Sequence, residues 1–385
     1  MLTKFAHNYP SVLFTEPPHS EVKLMVIVPV KNEEDGLILT LNALRLQVDA
    51  NGEQLDESVY EVLLLVNNST DQTHHLATQY QRSFPEFKLH VAVIELQKTD
   101  AHVGMVRRLL MDEAYERFKS IGKPEGIIVS TDGDSQVDQH WVHYILKEIS
   151  QGNDVVGGRI LPKNTPQLSK IHHLRDVSYR YHLSRLESIL DPCMADPWPR
   201  HFQCYGPSLA VTCAIYDKAG RIPPIPYLED EEFRKALYRI DAKVRKSPKV
   251  KVYTSARLAG KVEFGFSVQL QQWGNMTLEN QQQHVEPLSA LIKKTTLKGE
   301  LRKMWRSRHD AADHRLQLLN VSKKLLLDDA WLKGKFYACQ YFGELWELVE
   351  TELEQGKWRK QNALQPISEV IKTFRKYFSE LPIAS

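Results

Sequence analysis

An α/β fold, with a mainly parallel sheet flanked by helices and an α-helical C-terminal appendage, is the architecture this sequence leads one to expect. The apolar runs Lys23–Val30 (KLMVIVPV) and Tyr60–Val66 (YEVLLLV) have strand length and read as strands covered on both faces. Segments with helical spacing alternate with such runs as far as residue 160, the pattern of parallel strands joined by helical crossovers. Beyond residue 285 strand signals vanish and apolar stripes at helical spacing take over.

Each element has its own local signal. Residues 1–20 read as a terminal arm, because Pro10, Pro17 and Pro18 break any helix. After the first strand, Leu37, Leu41 and Leu44 step along one helical face. A helix is expected through Tyr80, a strand over Lys88–Ile94, and a helix over 103–119 from Val106, Leu110, Ala114 and Phe118. Gly126–Ser130 (GIIVS) reads as a strand, Val137, Trp141, Ile145 and Ile149 as one face of a helix, and Asp154–Gly158 as another strand. Residues 168–190 read as a helix rich in Tyr, His and Arg, and 191–207 as a proline-broken loop. Leu209–Tyr216 and Val250–Thr254 read as strands, with a helix over Leu228–Tyr238 between them. Leu345, Leu348, Val349 and Leu353 form one apolar stripe near the C-terminus, and Ile367, Val370, Ile371, Phe374 and Phe378 another. The domains expected are thus an arm (1–20), an α/β domain (21–280) and a helical region (281–385).

Composition narrows the function classes. Apolar residues at 42% and charged residues at 25% exclude a disordered or collagen-like chain. Fifty basic against 48 acidic side chains leave a net charge of +2, which exerts no long-range pull on nucleic acid. The basic run Lys243–Lys251 lacks interleaved aromatics, so no nucleic-acid partner is expected. No apolar stretch approaches the ~20 residues needed to span a bilayer. The N-terminus lacks a secretory apolar segment, and a cytoplasmic protein is expected, with peripheral membrane contact left open. The helix over 367–378 carries Lys372, Arg375 and Lys376 opposite its apolar stripe. It is read as docking on its own domain rather than on a membrane surface. Cys193, Cys204, Cys213 and Cys339 show no metal-binding spacing and read as small apolar side chains.

The chemistry concentrates in loops. Those at 31–35, 67–71 and 131–135 each follow the C-terminal end of a strand, where open α/β sheets bind ligands. The sharpest is Asp132-Gly133-Asp134. Two carboxylates one residue apart can both reach one hard divalent cation, and Gly133 lets the backbone bend between them. A Mn²⁺ or Mg²⁺ ion held this way keeps positions open for substrate diphosphate oxygens.

Taken together, Val28-Pro29-Val30-Lys31-Asn32-Glu33-Glu34, Val66-Asn67-Asn68-Ser69-Thr70-Asp71, Gly104-Met105-Val106-Arg107, Asp132-Gly133-Asp134-Ser135 and Glu229-Asp230-Glu231-Glu232 resemble the family 2 glycosyltransferases. The resemblance covers residues 22–275 and implies the nucleotide-sugar-binding GT-A fold. It implies that Pro29 and Glu33 line the nucleoside pocket and that Asn67 and Asp71 stand where relatives place acidic residues near the base. It further implies that Gly104 and Arg107 lie beside the nucleotide, Asp132 contacts ribose or metal, and Asp134 ligates the metal. Asp230 is the implied general base, with Glu229 holding acceptor hydroxyls or orienting it. The implied donor is a nucleotide-diphosphate sugar, with a UDP-sugar the first expectation, and the acceptor is a saccharide or other hydroxyl. Gln269–Trp273 is similar to the Gln-x-x-Arg-Trp signature of processive relatives, with Gln272 in place of Arg; Trp273 is also read as a core aromatic. Ser255, Ala256, Arg257 and Lys261 follow a strand and are placed to supply charge to a diphosphate. Trp198, His201 and Tyr205 are acceptor-side candidates, because aromatic rings stack on sugar faces.

Metal-dependent inverting transfer is the leading expectation. A retaining transferase on the same fold, a nucleotidyltransferase that makes the activated sugar, and a non-catalytic nucleotide-sugar-binding protein are the alternatives. The nucleotidyltransferase would need a Gly-rich phosphate loop after the first strand, where Val30–Gly36 supplies Lys31 but one Gly.

Overall fold

The structure is a computed structural model and describes residues 12–256, 265–309 and 314–381. The first part of the chain runs β1 (Leu24–Val30), α1 (Leu37–Arg45), β2 (Tyr60–Asn67), α2 (Thr73–Ser83), β3 (Leu89–Ile94), α3 (Val103–Ser120) and β4 (Ile127–Ser130). It continues through β5 (Gln136–Val137), α4 (Trp141–Ser150), β6 (Val155–Lys163) and α5 (Gln167–Leu190). A 3₁₀ turn (Gly206–Ser208) then leads into β7 (Leu209–Thr212), α6 (Cys213–Lys218), α7 (Glu229–Arg239), β8 (Val244–Ser255) and α8 (Phe266–Leu278). The rest is β9 (His284–Val285), α9 (Leu288–Arg306), α10 (Arg315–Leu325), α11 (Asp329–Ala338), α12 (Phe342–Gln355), α13 (Lys357–Gln361), β10 (Gln365–Pro366) and α14 (Ile367–Glu380).

Eight strands form one sheet in the order β3-β2-β1-β4-β7-β6-β8-β5. β3, β2, β1 and β4 are parallel, as are β6 and β8, while β7 runs antiparallel to both of its neighbours. The mainly parallel α/β sheet with a helical C-terminal part is therefore as expected. Every residue of β1 and β2 is buried, because the sheet is covered twice. On one face Met25, Ile27, Leu63 and Leu65 meet Val106, Leu110 and Phe118 of α3. On the other, Leu24, Val26 and Val28 meet Leu37, Leu41 and Leu44 of α1 and Trp141 and Ile145 of α4. From β1 the chain steps first to β2 on one side and later to β4 on the other. The strand order thus reverses at the C-terminal ends of β1 and β4, where such sheets open a crevice.

Three segments differ from the sequence expectation. Val137 lies in β5 rather than on a helical face, and α4 begins only at Trp141. Leu209–Tyr216 is not one strand: β7 ends at Thr212 and α6 begins at Cys213, which turns Tyr216 into the core. β8 is far longer than Val250–Thr254 and absorbs the basic run 243–251. Pro248 concealed it, since proline cannot donate to a ladder. The sheet accommodates Pro248 with a bulge, pairing Gly158 with Ser247 and then Arg159 with Lys251. The basic run is thus an internal strand, and the Lys246 ammonium lies 3.2 Å from the buried Asp196 carboxylate.

The described part of the N-terminal arm lies against α3: Phe14 is buried, and the Leu13 N–H donates to Glu113 at 3.0 Å. In the helical region, Val370, Phe374 and Phe378 of α14 pack with Leu186 of α5 and with Leu288 and Leu291 of α9, so this helix docks on its own chain. Asp241 accepts from the Phe342 and Gly343 N–H groups at the start of α12, both at 2.8 Å. Among the described residues no helix is long and apolar enough to cross a membrane.

Candidate functional site

The loops after β1 and β2 are zipped together above the sheet. Asn32 and Asn68 adopt positive φ (53° and 45°), a conformation asparagine tolerates well. The Asn32 N–H donates to Ser69 Oγ (3.0 Å) and the Thr70 N–H to Asn32 Oδ1 (2.8 Å). The Glu33 N–H donates to Thr73 Oγ1 (2.7 Å) and the Glu34 N–H to Asp71 Oδ2 (3.2 Å). Burial opposes it, but hydrogen bonds from Thr73 and Glu34 hold the Asp71 carboxyl below its ordinary range. Asn67 is buried at the end of β2, and Pro29 within β1. Both loops thus present a fixed rim.

Asp132, Gly133 and Asp134 leave β4 beside them. Thr40 Oγ1 of α1 donates to the Gly133 carbonyl at 2.9 Å. A Cβ on Gly133 would lie 2.5 Å from Val30 Cγ1 and 3.3 Å from Glu33 Cγ, so a side chain here would push the Asp-Gly-Asp turn off the rim. Beyond it, Ser135 Oγ meets Thr254 Oγ1 of β8 at 3.2 Å.

Arg107 joins this rim to the start of α7. It is 4% exposed, and three of its nitrogens have protein acceptors. Nε donates to Ser130 Oγ at 3.0 Å, one terminal nitrogen to Asp132 Oδ1 at 2.7 Å, and the other to Glu229 Oε1. Burial would push the guanidinium down, but Glu229, Asp132 and Asp230 outweigh it and hold it above its ordinary value. Gly104 explains how Arg107 arrives there. A Cβ at Gly104 would sit 2.0 Å from the Ile225 carbonyl oxygen, so only glycine lets the first turn of α3 press against that backbone. Gly206 does the same from the other side, since its Cβ would lie 2.8 Å from the Arg107 guanidinium carbon.

Asp230 sits in the first turn of α7. Leu228, before it, takes a left-handed backbone (φ 58°) that turns the chain sharply into the helix. Asp230 Oδ2 accepts from the Gly206 N–H and Oδ1 from the Glu231 N–H, both at 2.8 Å. Glu231 and Glu232 are drawn elsewhere: Arg234 grips Glu231 with two hydrogen bonds (2.7 and 2.6 Å), and Lys235 holds Glu232 at 2.7 Å. Desolvation, with repulsion from Asp134 and Asp230, pushes the Asp132 carboxyl up to about 6 against the pull of Arg107. Burial likewise raises Glu229, with Arg107 opposing and Asp230 adding to the rise.

Three carboxylates, Asp132, Glu229 and Asp230, therefore share the field of one buried guanidinium. That negative excess suits a cation. Among the described residues no three His, Cys, Asp or Glu side chains form a ready-made cage. The donor set fits an ion held by one or two carboxylates and completed by substrate oxygens, the usual arrangement for Mg²⁺ with phosphates.

The other sequence candidates fall in different places. Tyr205 is half-buried next to Gly206, and burial raises its hydroxyl, with Glu231 and Asp230 adding to the rise and Arg180 and Arg234 opposing it. His201 departs from an acceptor role: it is buried, one ring nitrogen meets the Ser247 carbonyl at 3.1 Å, and the other accepts from the Gln203 N–H at 3.0 Å. Burial pushes it down to about 3, leaving a neutral ring that ties the loop to β8. Trp198 is partly exposed and rests on Tyr181 of α5, ring centres 5.3 Å apart. Trp273 is a core aromatic, buried with Leu270 and Ala256. Arg257 and Lys261 lie outside the described residues. Thr40, Ser130 and Gly206 were not singled out from the sequence. Thr40 does share the inward face of α1 with Leu37, Leu41 and Leu44, but Ser130 and Gly206 carry no local signal.

The mainly parallel α/β sheet thus carries an acidic rim at its switch point, where open sheets of this kind bind ligands. Residues 25–198 match the family model described as glycosyl transferase family 2. The chain is 28% identical over 137 residues to glycosyltransferase AglE of Haloferax volcanii. That match covers 35% of this chain and 38% of AglE, so it spans little more than a third of the relative's length. Among solved structures, Staphylococcus aureus TarS residues 1–349 in complex with UDP-GlcNAc is 17% identical, with 86% of this chain and 92% of that one covered and a TM-score of 0.44. The mannosyltransferase PcManGT of Pyrobaculum calidifontis, in complex with GDP-Man and Mn²⁺, is 13% identical, with 97% and 90% covered and a TM-score of 0.42.

Proposed function

We propose that this protein is an inverting glycosyltransferase that takes its sugar from a nucleotide-diphosphate donor and uses a divalent cation, Mn²⁺ or Mg²⁺. The observation that carries the reading is the meeting of the Asp132-Gly133-Asp134 turn with the Asp230 carboxylate, through Arg107 and Gly206, at the switch point of the sheet. The match of residues 25–198 to the glycosyl transferase family 2 model supports the chemistry.

In this reading Pro29, Glu33, Asn67 and Asp71 frame the nucleoside, with a UDP-sugar the first donor to test. Asp132 and Asp134 hold the cation, which when bound neutralises the diphosphate as it leaves. Asp230 accepts the proton of the acceptor hydroxyl. The acceptor oxygen forms its bond to the anomeric carbon as the bond from that carbon to the phosphate oxygen breaks, and the configuration inverts. Gly206 and the Glu231 N–H fix the base. Glu229 and Arg107 act through their neighbours rather than on the sugar, since Arg107 spends its donors on Ser130, Asp132 and Glu229. Tyr205 is the acceptor-side residue nearest this machinery, while Trp198 lies toward the outer face of α5.

A thermal-shift panel of nucleoside diphosphates and their sugars, with and without Mn²⁺, tests the reading. Ligand at about a hundred times its Kd should stabilise the native state by about 2.7 kcal/mol. The expected result is a midpoint rise that needs both nucleotide and Mn²⁺ and that Asp134→Asn removes. No response to any nucleotide, or a rise of equal size in Asp134→Asn, contradicts the assignment.

A further inference from the structure

We propose that the outer face of α5 docks on an anionic lipid surface, an inference independent of the transfer chemistry. Large apolar side chains left in solvent gather here. Leu168, Ile171, Leu174, Tyr181, Ile189 and, just beyond the helix, Trp198 are each between 39% and 53% exposed. At about 100° per residue, Ile171, Leu174, Tyr181 and Ile189 fall in one sector roughly 80° wide, across the helix from the buried Ser169 and His172. Scattered apolar residues on a surface need no explanation, but four aligned on one side of a 24-residue helix do.

Charge identifies the occupant. Lys170 and Arg175 flank the stripe and Arg185 lies within it; none of the three has a carboxylate partner among the described residues. The Arg185 guanidinium rests 5.9 Å from the Trp198 ring and 4.4 Å from the Phe378 ring. Arg375 of the adjacent α14 adds its field to the same side, where it and Arg185 reinforce the burial that lowers His182. The two acidic residues of α5 are spoken for: Asp176 is held by Arg180 at 2.9 Å and Glu187 by Arg200 at 3.3 Å. An apolar stripe with a Trp–Tyr pair and unneutralised cations matches the headgroup zone of an anionic bilayer, which rewards apolar burial, aromatic rings and positive charge together. A second copy of the chain fits less well, because a two-fold contact would set the same cations against one another.

Co-sedimentation of the full chain with vesicles tests this. The protein should pellet with phosphatidylcholine–phosphatidylglycerol vesicles and stay in solution with phosphatidylcholine alone, and high salt should release it. The double substitutions Ile171→Ser with Leu174→Ser, and Lys170→Glu with Arg175→Glu, should each weaken vesicle binding by about tenfold. Because these side chains face solvent, unchanged thermal unfolding will show that the variants fold. Failure of the wild type to pellet with either vesicle overturns the proposal, as does undiminished binding by the Ile171→Ser, Leu174→Ser variant. A dimer in ultracentrifugation that this variant abolishes would assign the stripe to a copy–copy contact instead and overturn it too.

Discussion

Asp230→Asn is expected to lower kcat by about 10²- to 10⁴-fold, the usual contribution of a positioned general base, while donor binding is retained. The substitution is close to isosteric. The amide oxygen can still accept from the Gly206 N–H, the contact that fixes Asp230 Oδ2 at 2.8 Å, so the loop and the helix start should hold. What is lost is the capacity to take a proton. Glu231 and Glu232 cannot readily substitute, because Arg234 and Lys235 already pair with them. Steady-state transfer measured beside nucleotide binding separates the two effects. Near-normal turnover would move the base elsewhere; a parallel loss of nucleotide binding would mean that Asp230 belongs to the donor site.

Arg107→Leu is expected to destabilise the fold by about 3–5 kcal/mol, the range for breaking a buried ion pair by removing one partner. The substitution leaves Glu229 buried without its cation and Asp132 without its 2.7 Å hydrogen bond. Arg107→Lys should be milder, since it keeps the charge but loses the planar fork that serves Ser130, Asp132 and Glu229 at once. Urea unfolding of the three proteins measures this directly. An Arg107→Leu variant within about 0.5 kcal/mol of wild type, the scale of an ordinary surface substitution, would show that the buried network is not holding the site.

Much of this architecture was legible because burial on both faces leaves an unmistakable mark. β1 and β2 are unbroken apolar runs since α1 and α3 cover opposite sides of them. Asp132-Gly133-Asp134 was legible for a different reason: strand, turn and paired carboxylates are all local. β8 was hidden, because Pro248 and five lysines and arginines between 243 and 251 mask a strand whose alternate residues still turn inward. The change from β7 to α6 was hidden as well, since Leu209–Tyr216 is apolar in both halves and nothing in the run announces the turn at Thr212. The role of Arg107 could not be read at all from spacing. Its partner Glu229 is 122 residues away, and only the folded chain sets a surface-like helical arginine between two acidic segments. His201 shows the converse, where an aromatic in a proline-rich loop invites a ligand role and the structure spends both its nitrogens on backbone.

Crystals soaked with Mn²⁺ and the nucleotide that gives the largest thermal shift, with data collected at the manganese edge, put the whole account at risk. One anomalous peak is expected within about 2.2 Å of an Asp134 carboxylate oxygen, close to the metal–oxygen distance of a small divalent ion, with diphosphate oxygens completing its shell. A peak lodged elsewhere, or nucleotide bound with no metal between it and Asp132 or Asp134, would contradict it.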